Sequence, residues 1–313
     1  MLDDIATSLR RIAEALERIE RILQAMTSPV EENGMEESAT EERYTIVDWA
    51  PPSEESPSEL DLGLSQLADH GNQAAIQEAI NWLESLNCTV LDYKVVSPEK
   101  ELWDWFAMFL GNRFDNLQEF YEKWKISMNN RNAFELFLNN SRDTKISDNV
   151  QFASRLQEFS LISSYYYNRN TRRLMITPLF TSEITNFVAG DWLEYYISRI
   201  IWNIINSRGN TSNFALLRNI KITLPNNQNI EIDLLVTKNS RKIWIECTSS
   251  RFQQSVEKWQ QISNYLNLPI EHKIAVSLKS SNDPMARNSF QQMTRMTLLK
   301  LDELPSALSN LLS

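Results

Sequence analysis

Between residues 190 and 280 the spacing of apolar residues passes from the helical period to the alternation of strands and back, and this succession limits the possible folds more than any other feature. "GDWLEYYISRIIWNIIN" reads as a helix over about 190–206. Strands follow at about 216–224, 230–237 and 242–248, then the helix "FQQSVEKWQQISNYL" at about 252–266 and the strand "HKIAVSLKS" at 272–280. "TRMTLLKLDELPSALSNLL" adds a final strand and helix. An αβββαβ order of this kind closes as an α/β sandwich around a mixed central sheet.

The chain before residue 185 divides into three parts. Leu2, Ile5, Leu9, Ile12, Leu16, Ile19, Leu23 and Met26 form an a/d heptad seam, so residues 1–26 read as a coiled-coil helix. Leu at a and Ile at d favour more than two strands, which implies a homo-oligomer through residues 2–26, from dimer to tetramer. An amphipathic helix packed on its own domain is the alternative. Residues 27–61 hold eleven Asp/Glu against the single Arg43 and read as a flexible acidic linker. Residues 62–184 form a mostly helical domain, with one or two helices before the strand-like "CTVLDYKVV" and a helical, aromatic stretch over 101–160. Trp103, Phe106, Leu110, Phe114, Leu117, Tyr121 and Trp124 recur there at core spacing. A helix near 147–160 and a hairpin around Asn168–Thr171 suggest a winged-helix-like unit. Arg169, Arg172 and Arg173 at its tip, beside three tyrosines, are either a nucleic-acid contact or a solvated basic turn.

Charge and rare residues restrict function. The net charge of −10 is carried entirely by residues 27–61, and residues 190–313 hold fourteen Lys/Arg against ten Asp/Glu, so the C-terminal surface is free to meet phosphates. Two histidines, His70 and His272, give little material for His-based triads or metal sites, and six glycines leave no phosphate-cradling loop. The two cysteines, Cys88 and Cys247, fit a reducing cytoplasm, and no apolar run approaches the ~20 residues that span a bilayer. Any catalysis therefore falls to carboxylates.

"NIEIDLLVTKNSRKIWIECTSS", residues 229–250, supplies them. Strict alternation puts Glu231 and Asp233 on one side of the first strand and Ile230, Ile232 and Leu234 on the other, while Trp244, Glu246 and Thr248 share a side of the second. The hairpin then brings Asp233 and Glu246 together on one face. Two close carboxylates repel unless a cation lies between them, and oxygen-only ligands favour Mg²⁺ or Mn²⁺.

These residues resemble the PD-(D/E)xK, or restriction-endonuclease-like, nucleases. Asp233 matches the metal-binding Asp, "IEC" at 245–247 the strand with the second acid Glu246, and Glu194 in "GDWLEYYI" the additional acid of many members. The set "GDWLE…EIDLLV…IWIECTSS" is most similar to the nuclease domain of CARF-linked CRISPR ancillary effectors, over residues 185–300 of a C-terminal domain at 185–313. The resemblance implies a restriction-endonuclease-like core, Mg²⁺ or Mn²⁺ held by Asp233, Glu246 and the Cys247 backbone carbonyl, and phosphodiester hydrolysis on DNA or RNA, with defence as the setting. Thr248 stands where the family has its lysine and brings no positive charge. Lys258 on the following helix is the expected substitute, with Arg251 second and Gln254 as a further phosphate contact. The alternative is an inactive nuclease-fold module that binds nucleic acid or assembles.

Overall fold

The computed structural model describes residues 59–313 except 100, 210, 251 and 280–282, with side chains from Asn72 onward. The heptad helix, nearly all of the acidic segment and Arg251 lie outside the described residues. Helix α1 (Glu59–Ser85) and strand β1 (Thr89–Val95) come first. Then follow α2 (Leu102–Asn112), α3 (Phe114–Asn130), β2 (Phe134–Phe137), α4 (Asp143–Glu158), β3 (Ile162–Asn168) and β4 (Arg173–Pro178). After α5 (Ser182–Asn186) and a π turn (Phe187–Asp191), the expected succession appears: α6 (Trp192–Ser207), β5 (Phe214–Thr223), β6 (Asn229–Lys238), β7 (Arg241–Thr248), α7 (Val256–Leu266) and β8 (Lys273–Ser277). α8 (Pro284–Thr294), β9 (Thr297–Leu299) and α9 (Leu304–Leu311) complete the chain.

The main sheet has the order β1-β5-β6-β7-β8-β9. β1 to β7 pair antiparallel along that order, and β8 and β9 run parallel to β7. Asn239 and Ser240 take φ of 48° and 65°, the left-handed pair that closes a two-residue hairpin between β6 and β7. Both faces of the sheet are covered. Ile243, Ile245, Ile274 and Val276 join a core with α6 and α9, through Ile197, Ile201, Leu304 and Leu308. Trp244, Ala275, Ile220 and Ile222 join a second core with α1, α7 and α8, through Leu83, Trp259, Ile262 and Phe290. This is the mixed α/β, nuclease-like architecture expected from the sequence.

β1 lies upstream of residue 185, yet it is the edge strand of the C-terminal sheet, so the sheet extends across the 184/185 boundary drawn from sequence. Two register shifts interrupt its pairing with β5. A separate three-stranded sheet has the order β2-β4-β3, with α3 and α4 packed on it. Its strand β2 falls inside the stretch read as helical. Arg131, at φ 52°, ends α3 in the left-handed conformation, and "FELF" then alternates buried Phe134 and Leu136 with less buried Glu135 and Phe137. Phe106, Phe120, Trp124 and Phe152 fill the core beneath this sheet, which is continuous with the α6 face of the main sheet. Trp192 stacks on Phe114 at 5.6 Å, and Gly111 of α2 is so close to α6 that a β-carbon would overlap the Tyr196 ring. Among the described residues no helix is long and apolar enough to cross a membrane.

Candidate active site

The strands β6 and β7 stop pairing after Leu234↔Ile245, and the two acids sit at the fork. Asp233 and Glu246 take over the hydrogen bonds that the ladder gives up. Asp233 Oδ2 accepts from the Cys247 backbone N–H at 2.7 Å, and Glu246 Oε1 accepts from the Asp233 backbone N–H at 3.2 Å. Each carboxylate thus satisfies the other strand's backbone.

The two side chains do not share a face in the way strict alternation predicts. Ile230, Ile232 and Leu235 belong to the α7 core, whereas Leu234 and Val236 belong to the α6 core, so the alternation of β6 changes phase at Asp233. β5 changes phase opposite it, where Asn219 adopts φ 53° between Leu217 and Ile220, both of the α7 core. The expected grouping of Ile230 and Ile232 with Leu234 is therefore corrected. Asp233, between Ile232 of the α7 core and Leu234 of the α6 core, lines the α6 side.

On that side a cavity of about 320 Å³ is lined by Lys125, Gly190, Asp191, Glu194, Asp233, Cys247, Thr248 and Ser249, among others. The chain turns at extended Gly190 (φ 174°) into α6, whose first turn carries Glu194. Glu194 Oε2 is buried and has no hydrogen-bond partner among the described residues. Burial, reinforced by Asp191, pushes the Glu194 carboxyl up to about 8. Burial, then Glu246 and Glu194, likewise raise Asp233 well above the carboxylate range. Burial also raises Asp191, against the pull of Arg218. The Cys247 thiol is pushed up by burial and by Asp233, so it remains neutral. The acids crowd one space and repel.

Glu246 lies on the other side, 1% exposed. Its Oε1 accepts from Trp244 Nε1 at 2.9 Å as well as from Asp233, and its Oε2 accepts from Trp259 Nε1 at 2.7 Å and Lys258 Nζ at 3.1 Å. Four donors occupy the carboxylate's acceptor positions. Glu246 stays close enough to raise the Asp233 carboxyl, and Glu194 joins Asp233 in lining the cavity. Lys258 stays with Glu246. Burial works against its charge, but Glu246 and Asp233 outweigh that and raise its pKa. Thr248 does line the cavity, with its hydroxyl 3.1 Å from Ser250 Oγ and accepting from the Ser250 N–H at 3.2 Å.

The remaining sequence-derived residues are elsewhere. Arg173 is paired with Glu135 and its guanidinium is 5.7 Å from the Phe137 ring, and Arg172 approaches Asp143 at 3.8 Å. Arg169 stands in the turn between β3 and β4, and Gln254 is exposed at the end of a short 3₁₀ turn. Two cavity residues were not legible from the hairpin: Asp191, beside Glu194, and Lys125, which reaches in from α3. Asp191 had a signal in "GD" at the head of a helix, three residues before the acid already chosen; Lys125 had none.

A divalent ion fits this donor set in part. Asp233 and Glu194 are hard oxygen donors, Glu194 adds to the burial and Glu246 that raise Asp233, and Glu194 Oε2 lacks a hydrogen-bond partner among the described residues. Among the described residues no three His, Cys, Asp or Glu side chains close around one point, so backbone, water and substrate oxygens would have to complete the shell. Mg²⁺ is commonly held in that way, by one or two carboxylates plus phosphate.

The fold is a mixed α/β sandwich with an acidic cavity at the fork of its central hairpin. No family model matches the chain, and no curated protein matches it in sequence. Solved structures do match, and two of them are the following. Can2 from Sulfobacillus thermosulfidooxidans, in complex with cyclic tetra-adenylate, is 13% identical with a TM-score of 0.51, over 75% of this chain and 61% of that one. Protein VC1899 from Vibrio cholerae is 15% identical with a TM-score of 0.48, over 74% of this chain and 60% of that one. The chain therefore spans about three fifths of each of these structures. The share of this chain that is covered exceeds residues 185–313, so the likeness includes part of the preceding region.

Proposed function

We propose that the chain is a metal-dependent phosphodiesterase acting on DNA or RNA, of the PD-(D/E)xK kind, with Asp233 and Glu194 as its acidic ligands for Mg²⁺ or Mn²⁺. The observation that carries this reading is the convergence of Asp233 and Glu194 in one cavity, with the buried Glu194 Oε2 left without a partner among the described residues. The ion would supply polarisation of the scissile phosphate and a more acidic attacking water. The Cys247 N–H fixes the Asp233 carboxylate by one oxygen. Glu194 holds a proton up to about pH 8 in the free protein and so can exchange one near neutrality. Glu246 braces the fork from behind through its two indoles and Lys258. The fold shared with Can2, which binds cyclic tetra-adenylate, supports a place among effectors of nucleotide-signalled defence. A cytoplasmic setting and assembly through residues 2–26 belong to the same reading.

Incubation with plasmid, linear and single-stranded DNA and with RNA, in Mn²⁺ or Mg²⁺, tests it. Cleavage is expected that chelation stops and that Asp233→Asn and Glu194→Gln each reduce by about 10²-fold or more. Cleavage that both variants retain, or none on any substrate, would contradict it.

The full occupation of Glu246 favours a second reading, a nuclease-fold module that binds nucleic acid without turnover. It predicts binding that falls steeply with salt and needs no divalent ion.

A further inference from the structure

We propose that Lys125, carried by α3 of the winged-helix-like unit, is the phosphate-binding cation of the acidic cavity and fills the place left by Thr248. The inference rests on the cavity's being the site where the nucleic-acid phosphate sits.

Lys125 lines the cavity together with Asp233, Glu194 and Thr248, whereas Lys258 does not. Its Nζ donates to Ser249 Oγ at 2.7 Å and to the Ala189 carbonyl at 2.9 Å, and Ser249 Oγ in turn donates to the same carbonyl at 2.7 Å. The ammonium has three donors, so one is left for a ligand. Among the described residues no carboxylate stands within ion-pair distance of it, although it is half-buried and shares a cavity with acids. A half-buried ammonium without a counter-ion is costly unless an anion completes it. Burial, followed by the like charge of Lys279, weakens its hold on the proton, and a bound anion would reverse that. Lys258 is already neutralised by Glu246 at 3.1 Å and brings no spare charge.

The placement also explains how the hairpin can do without a lysine after its glutamate. The Lys125–Ser249 contact joins positions 124 residues apart, and it ties α3 to the segment that follows β7. The positive charge thus arrives from outside the αβββαβ core. A phosphodiester entering the cavity would meet this ammonium on one side and the carboxylates on the other, and a divalent ion held by the carboxylates would turn that second side from repulsive to attractive.

Binding of a short fluorescein-labelled oligonucleotide, as single-stranded DNA and as RNA, is measured against salt in Ca²⁺ buffer for the wild-type chain, Lys125→Met and Lys125→Arg, with thermal melts to verify folding. Lys125→Met is expected to weaken binding by about tenfold or more and to reduce the salt slope by about one, while Lys125→Arg keeps the slope. A merely structural lysine would leave the slope unchanged. Equal affinity and slope in Lys125→Met overturn the proposal, as does a wild-type chain that binds neither oligonucleotide. If Lys125→Met does not fold, the slope of Lys125→Gln decides in the same way. Asp233-dependent cleavage by the wild type that Lys125→Met leaves untouched would end this inference alone, whereas absent cleavage and absent binding would remove the phosphodiesterase reading with it.

Discussion

Glu246→Ala is expected to lose about 3–5 kcal/mol of stability and to lower Tm by about 6–20 °C, more than any surface acid in the chain. The carboxylate accepts from the two buried indoles of Trp244 and Trp259, from the Asp233 backbone and from Lys258. Truncation leaves two indole N–H groups and a backbone N–H without acceptors at the point where β6 and β7 part, and each unsatisfied donor costs about 1–3 kcal/mol. Lys258 loses less, because its side chain is 42% exposed and can turn to water. Glu246→Gln is expected to recover part of the loss, since one oxygen remains while the amide faces donors. Chemical denaturation of the three proteins checks this. A loss below about 1 kcal/mol for Glu246→Ala would mean that the indoles find other acceptors and that Glu246 does not brace the fork.

The second large effect is on the pH dependence of folding. The Glu194 carboxyl sits at about 8 in the folded protein against an ordinary 4.5. Below pH 4.5 both states are protonated and this group costs nothing. Between 4.5 and 8 the unfolded chain releases a proton that the folded chain retains, so stability falls as pH rises and levels off above 8. The full loss is about 5 kcal/mol at 1.36 kcal/mol per pH unit. Asp233, raised mainly by burial, adds in the same direction. In chelator, stability measured from pH 5 to 9 is therefore expected to decline, and Glu194→Gln is expected to flatten much of that decline. Saturating Mn²⁺ should flatten it in the wild type as well, because the ion holds the carboxylates ionised. A Glu194→Gln protein with the wild-type pH profile would show that Glu194 is not crowded in the free chain.

Much of the scaffold was legible because its elements follow their periods. α6, the β5–β6–β7 meander, α7 and β8 lie where apolar spacing put them, and the polar Asn239-Ser240 turn fixed the hairpin. What failed was the facing of a single residue. The run Leu234, Leu235, Val236 directly after Asp233 cannot alternate between apolar and polar faces, and it belongs to a strand buried on both sides. That run marked the phase change at Asp233, and Trp244 two places before Glu246 marked an indole on the glutamate's own face. The partnership of Asp233 with Glu194 could be drawn from the resemblance, but its geometry depends on Gly190 and on Asn219 in the left-handed region. Lys125 was out of reach, since no local pattern joins α3 to Ser249. β2 was hidden because four residues cannot declare a period beside long aromatic helices.

In the proposed function Asp233 and Glu194 hold one divalent ion between β6 and α6. Titration calorimetry of Mn²⁺ into the chelator-stripped protein tests this without any substrate. One ion per chain is expected, lost in Asp233→Asn and weakened by at least tenfold in Glu194→Gln, with Glu246→Gln affected only as far as its folding is. No heat from the wild-type protein, or Mn²⁺ binding that Asp233→Asn leaves intact, would contradict it.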